Sequence, residues 1–163
     1  MEFALKTGTV ESTLDEKGRV VIPHSMRECY TGTLVLTQGK EDCILLMTPV
    51  IYQSFLDKHK KQFDEKEISA EEYEAFQDLY ESSATTVEID PKTGRIPIPA
   101  VLRTHANLSK DNKDCLVVNV RNHLEIWNAD YRRAFMKEAQ QINKNTYKKL
   151  LGKVDFFSEK GEV

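Results

Sequence analysis

Leu14-Asp15-Glu16-Lys17-Gly18-Arg19-Val20-Val21-Ile22-Pro23 returns later in the chain, one residue longer, as Ile89-Asp90-Pro91-Lys92-Thr93-Gly94-Arg95-Ile96-Pro97-Ile98-Pro99. From Gly18 onward the copies run in step at an offset of 76 residues, the distance from Arg19 to Arg95, and the match continues through Met26 with Leu102 and Arg27 with Arg103. A repeat of this length is most simply a duplicated small β-unit that buries its apolar face against its twin. Both copies carry turn chemistry. Asp15 and Asp90 can each bond their own backbone two residues on, and Gly18 and Gly94 can take the positive φ that closes a tight turn at little steric cost.

The surroundings of the two turns match as well. Thr7 to Leu14 alternates loosely and Val20-Val21-Ile22 follows the first turn, which reads as strand, tight turn, strand. Pro23 then breaks the strand and opens a short helical turn through Met26 and Arg27. Thr33–Thr37 and Cys43–Met47 are apolar runs around the polar stretch 38–42, a hairpin pattern, and Cys115–Val120 with Leu124–Trp127 repeats it around Arg121-Asn122-His123. A helix is predicted behind Pro49 from Ile51, Phe55, Leu56, His59 and Phe63. A second starts at the capping-box sequence Ser69-Ala70-Glu71-Glu72 and carries Tyr73, Phe76, Leu79 and Tyr80. In the second half, Asn128 or Asp130 can cap a helix bearing Tyr131, Phe135, Ala139 and Ile142. The expected division is residues 1–82 for the first repeat with its helices and 83–163 for the second with its C-terminal helix and tail, of which Lys153–Val163 reads as soft.

Composition narrows the function classes. With 163 residues, 40% of them hydrophobic, and only seven glycines and five prolines, the chain can fold on its own core and is not a disordered one. No apolar stretch approaches the ~20 residues of a membrane span and Met1–Lys6 lacks the build of a signal peptide, so a cytoplasmic location is expected. Cys29, Cys43 and Cys115 are an odd set without a close pair and are expected to be buried or half-buried apolar residues. His24, His59, His105 and His123 have no metal spacing, and no cofactor is indicated. The net charge of −3 argues against a general polyanion binder, so any nucleic-acid contact has to be local. Charge is uneven: 57–81 is rich in Asp and Glu, whereas both Gly-Arg turns and 132–153 lean positive.

Reading base edges in a major groove calls for planar fork donors, and arginine on guanine is the commonest such contact. Arg19 and Arg95 are the candidates. Each follows a glycine that lets the backbone approach a partner, and each has a lysine nearby, Lys17 or Lys92, suited to phosphate. Asp15 is expected to hold its turn and orient Arg19 through a charge-assisted hydrogen bond. Read without the duplication, the same residues describe a solvated hairpin turn. Arg27 and Arg103 read as pairing with local carboxylates or carbonyls, Trp127 and the aromatic helix stripes as core, and 132–149 as a solvated basic helix with a secondary role in phosphate contact or subunit packing.

The Asp15-x-x-Gly18-Arg19 turn and its copy one residue longer, Asp90-x-x-x-Gly94-Arg95, together with both hairpins and the closing Leu124-Glu125-Ile126-Trp127, resemble the MraZ family in order and spacing over roughly residues 7 to 140. The resemblance implies an α+β fold: a pseudo-two-fold, swapped-hairpin, AbrB-like β-barrel built from two internal repeats and flanked by helices. It also implies a cytoplasmic, nucleoid-associated regulator that binds double-stranded promoter DNA near the start of a division and cell-wall gene cluster and assembles as a homo-oligomeric ring. This sequence departs from the family in its second turn. Pro91 occupies the slot of the aspartate and Asp90 lies five residues before Arg95, so Arg95 is expected to be held less firmly by its aspartate than Arg19.

One subunit with two such turns neutralises few phosphates and binds weakly at physiological salt, whereas a ring presenting several can gain ~10²-fold by tethering. The matching target is short direct repeats ~10 base pairs apart, which present the same groove face to successive subunits. The alternative is a ring-forming interaction scaffold with solvated turns. An enzymatic reading would need Asp15 and Asp90 to share a proton, yet neither sits in a small-residue loop and no nucleophile constellation accompanies them.

Overall fold

The computed structural model describes residues 8–153, so residues 1–7, including Thr7 at the start of the first expected strand, and 154–163 lie outside the described residues. The chain separates into two compact units, Met1–Ala129 and Asp130–Val163. In the first, strands β1 (Gly8–Thr13) and β2 (Arg19–Val21) precede a 3₁₀ helix (His24–Cys29), the hairpin β3 (Thr33–Gln38) and β4 (Cys43–Met47), and helices α1 (Pro49–Asp64) and α2 (Ala70–Phe76), the latter running into a π-helical turn at Gln77–Glu81. The same order then returns as β5 (Thr85–Glu88), β6 (Arg95–Pro97), α3 (Ala100–His105), β7 (Asp114–Val120) and β8 (His123–Asn128).

The repeats exchange their first strands. One antiparallel sheet of six strands has the order β1-β7-β8-β4-β3-β5, and β2 and β6 form a separate two-stranded ribbon. Thus β1 of the first repeat lies on β7 of the second, β5 of the second lies on β3 of the first, and β2 pairs with β6 across the repeats. The strand-turn-strand reading finds its elements, but not as a local hairpin: a single bridge, Leu14 to Val20, links the arms of the first turn. The reason is length. β2 ends after three residues before Pro23, too short to satisfy the six residues of β1, which β7 matches from Gly8–Asn119 to Thr13–Asp114.

The sheet is open, with β1 and β5 at its edges, so the strand pairing of the described residues does not close into the expected barrel. Prolines explain the interruption. Pro23 and Pro99, which directly follow the last ribbon donors Ile22 and Ile98, have no N–H to extend the ladder, and they stop the ribbon where a closed barrel would continue it. The ribbon nevertheless belongs to the core: Val20, Ile22, Ile96 and Ile98 are buried in one cluster with Leu36, Leu46, Leu124 and Ile126 from the sheet, and with Met26 and Leu102 from the short helices.

The signals of the two helices in the first half hold. Thr48 caps α1 by accepting from the Ile51 N–H at 3.3 Å with Pro49 in the first turn, and Ser69 and Glu72 form a reciprocal capping box on α2. Their aromatic stripes meet: the His59 ring stacks on Phe76 with centroids 3.8 Å apart and Phe63 on Tyr73 at 4.7 Å. Trp127, Cys43 and Cys115 are buried, and burial pushes the Cys115 thiol up to about 12. Cys29 departs from its reading and is exposed, because Tyr30, the next residue, takes the inward position at the end of the 3₁₀ helix. In the second unit the basic helix is not continuous: α4 (Ala129–Ile142) and α5 (Lys144–Lys153) are interrupted at Asn143, a weak helix former. No helix among the described residues is long and apolar enough to cross a membrane.

Candidate nucleic-acid interface

The two Gly-Arg turns lie at the ends of the β2–β6 ribbon. Arg19 stands opposite Pro97 and Arg95 opposite Val21, so the arginines lie diagonally across a three-residue ladder. The ribbon is extended at each end by a cross-repeat bond: the Ile22 N–H donates to the Gly94 carbonyl at 2.8 Å and the Ile98 N–H to the Gly18 carbonyl at 2.9 Å. Neither turn is therefore a structure of one repeat alone.

The added residue is visible in the backbone. In the first turn the Gly18 N–H donates to the Asp15 carbonyl, a three-residue span, and in the second the Gly94 N–H donates to the Asp90 carbonyl, a four-residue span. Both turns then rejoin the ladder in the same way, with the Asp15 N–H on the Arg19 carbonyl and the Asp90 N–H on the Arg95 carbonyl. Gly18 and Gly94 have φ of +76° and +72°, the left-handed region that the turn reading required of them.

Asp15 organises the first turn. Its Oδ1 accepts from the backbone N–H groups of Lys17 and Arg19, both at 2.9 Å, and its Oδ2 accepts from Arg19 Nε at 2.8 Å. The same Oδ2 stands 3.6 Å from Arg95 Nε, in ion-pair range but beyond a hydrogen bond. One carboxylate thus faces the arginines of both repeats. Asp90 does not mirror it: its Oδ1 accepts from the Lys92 and Thr93 N–H groups at 2.8 and 3.2 Å, and the Arg95 N–H is taken instead by Thr93 Oγ1 at 3.3 Å. Asp90 holds its turn but makes no hydrogen bond to the Arg95 side chain, which follows from the extra residue between them. The expected inequality is present, with a substitute the sequence did not reveal: the weak hold on Arg95 comes from Asp15.

Both carboxyls titrate below the ordinary 3.8. For Asp15, desolvation works upward, but the Arg19 N–H, the Arg19 guanidinium and the Lys17 N–H together outweigh it. For Asp90 the N–H groups of Lys92 and Thr93 dominate. A pair sharing a proton would show one carboxyl raised, whereas both of these are lowered. Because both folded values lie below the unfolded ones, the stabilisation is complete above the ordinary value and disappears as pH falls through the folded values. We expect the thermal midpoint to drop as pH falls below about 4, and the drop to be smaller in Asp15→Asn, by scanning calorimetry.

The two arginine side chains remain available, with 37% and 39% of their surface exposed, while Lys17 and Lys92 are exposed. A shallow hollow beside the first turn is lined by Leu14, Asp15, Glu16, Lys110 and Lys113. Lys110 and Lys113 come from the loop before β7 and were missed by sequence reasoning. In sequence they are two charges in a polar connection, and only the β1–β7 pairing brings that loop to the Asp15 turn, where the Leu14 N–H donates to the Lys113 carbonyl at 2.8 Å.

The sequence profile of the family described as "MraZ protein, putative antitoxin-like" matches residues 5–74 and 82–152, one stretch for each repeat. The chain belongs to the MraZ family. Curated MraZ relatives agree over most of their length. The Transcriptional regulator MraZ of Ligilactobacillus salivarius is 37% identical over 134 residues, 82% of this chain and 88% of that one. Its namesake in Limosilactobacillus reuteri is 37% identical over 131 residues, 80% and 87% of the two chains. That of Symbiobacterium thermophilum is 32% identical over 143 residues, 88% and 98%.

Proposed function

We propose that this transcription regulator contacts double-stranded DNA through its two Gly-Arg turns, with Arg19 and Arg95 reading base edges and Lys17 and Lys92 contacting phosphate. The observation that carries the reading is the convergence of one arginine from each repeat on Asp15, at 2.8 and 3.6 Å, with both side chains still partly exposed. Hydrogen bonding to a carboxylate fixes a guanidinium's orientation before a partner arrives and lowers the entropy lost on contact. Gly18 and Gly94 keep the turns narrow enough to approach a groove, and Asp15 and Asp90 shape them. Residues 1–82 and 83–163 each supply one turn to this shared site.

The target we infer is a set of short direct repeats upstream of a division and cell-wall gene cluster, engaged by a homo-oligomeric ring in the cytoplasm, associated with the nucleoid. Self-association is supported by the second unit, where Ile142, Leu150 and Leu151 are 73%, 53% and 57% exposed. Footprinting of the region upstream of the chain's own gene tests the reading. Protection at regular ~10-base-pair intervals is expected, and uniform cleavage would instead favour an interaction scaffold. The phosphate role has its own signature. Lys17→Ala and Lys92→Ala should each weaken binding alike on all sequences. Each should also reduce the slope of log affinity against log salt by about 0.9 for every phosphate left unneutralised, measured by fluorescence anisotropy.

A further inference from the structure

Resting on the reading of Arg95 as a DNA contact, we propose that Arg27 of the first repeat is the positioning residue for the second repeat's turn. Arg27 Nε donates to the Ile22 carbonyl at 2.7 Å, and Nη2 reaches across the repeats to the Thr93 carbonyl at 2.9 Å. The guanidinium lies directly against Gly94, and a Cβ built on that glycine would collide with Nε, Cζ and Nη2 of Arg27. One side chain therefore ties the end of β2, through Ile22, to the apex of the turn that presents Arg95.

The counterpart shows why this contact is more than a packing detail. Arg103, at the equivalent position of the second repeat, lies against Gly18, with Nη1 2.8 Å from a Cβ built there, but its buried Nε has no hydrogen-bond acceptor. The two turns are thus held by opposite means. The first is held from within, by Asp15 on the side chain of Arg19, and its crossing arginine leaves Nε unsatisfied. In the second, the turn's own aspartate bonds backbone N–H groups and not the Arg95 side chain, and the crossing arginine makes two charge-assisted bonds. Such bonds are about twice as strong as neutral ones, enough for Arg27 to fix the apex of a turn whose own aspartate does not hold the Arg95 side chain. The device also couples the repeats, because the support of the second tip is a residue of the first.

Hydrogen exchange followed by mass spectrometry on the full chain, with Arg27→Gln, Arg27→Lys and Arg103→Gln, tests the clamp without DNA. Loss of charge-assisted bonds is expected to speed exchange over residues 92–98 by about tenfold in Arg27→Gln and by less in Arg27→Lys, which keeps the charge and one donor head. Exchange over the β7–β8 hairpin should be unchanged in all three, which guards against a simple failure to fold, and Arg103→Gln should leave residues 92–98 unchanged. Binding to an upstream fragment then separates the clamp from the DNA reading. Arg27→Gln should weaken binding, Arg27→Gln with Arg95→Ala should cost less than the product of their separate effects, and Arg27→Gln with Arg19→Ala should multiply. Unchanged exchange over 92–98 in Arg27→Gln overturns the proposal. So does an Arg27→Gln protein that binds as wild type when Arg95→Ala does not. Faster exchange with wild-type binding by both variants leaves the clamp standing and removes Arg95 from the DNA contact.

Discussion

Arg19→Ala is expected to lower affinity for upstream direct-repeat DNA more than Arg95→Ala does. A bidentate arginine on guanine is worth ~1–3 kcal/mol, which is roughly fivefold to 150-fold per contact. Arg19 should fall in the upper part of that range because Asp15 fixes its guanidinium at 2.8 Å, and a pre-oriented group gives up little entropy on binding. Arg95 has only the 3.6 Å approach to the same oxygen and should fall lower. In a ring with several turns on one DNA, the per-subunit factors compound, so measured losses should exceed those of an isolated subunit. Asp15→Ala should weaken binding through both arginines, whereas Asp90→Ala should act only through the shape of the second turn. Anisotropy titrations at one salt concentration rank the four variants. Equal losses for Arg19→Ala and Arg95→Ala would show that the extra residue in the second turn is immaterial.

Gly94→Ala is the substitution with the largest expected cost to folding among the turn glycines. A left-handed backbone costs an L-residue ~1–2 kcal/mol, and Gly94 has φ of +72°. The added methyl also meets Arg27 and must expel a side chain that makes two charged hydrogen bonds, each worth about 1.5–3 kcal/mol. A loss of about 3 kcal/mol or more follows, equivalent to roughly 6–12 °C in thermal midpoint for a chain of this size. Gly32→Ala is the matched control: φ is +68° and a Cβ there meets nothing within 4 Å, so it reports the backbone cost alone. Gly18→Ala belongs between them, since the Cβ would meet Arg103 Nη1, whose position is less tightly bonded. A Gly94→Ala midpoint no lower than that of Gly32→Ala would mean that Arg27 moves aside freely.

Much of this was legible in the sequence because the informative features are local. Turn glycines, capping residues, the proline breaks and the 3.6-residue stripes of α1 and α2 are set by a few neighbouring residues, and each appears where its chemistry places it. The partners of the strands are not local. Nothing in Gly8–Thr13 states that its ladder partner is Asp114–Val120 and not Arg19–Val21; that choice depends on which strand is long enough and on the prolines that stop β2 and β6. The site divides along the same line. The Asp15–Arg19 bond spans four residues and could be read from spacing, whereas the approach of Arg95 to Asp15 and the reach of Arg27 to Thr93 exist only because the repeats interlock. Arg27 reads as a local pairing residue, and one of its two bonds, to Ile22, is local; the other crosses 66 residues.

If the two turns act as a single DNA-facing site, removing both arginines must abolish binding without disturbing assembly. Titration of an upstream fragment with the full-length double variant Arg19→Ala/Arg95→Ala, alongside sedimentation of the same sample, tests this directly. The variant should sediment as wild type and no longer retain the DNA at physiological salt. Retention equal to wild type by an intact assembly would contradict the shared site.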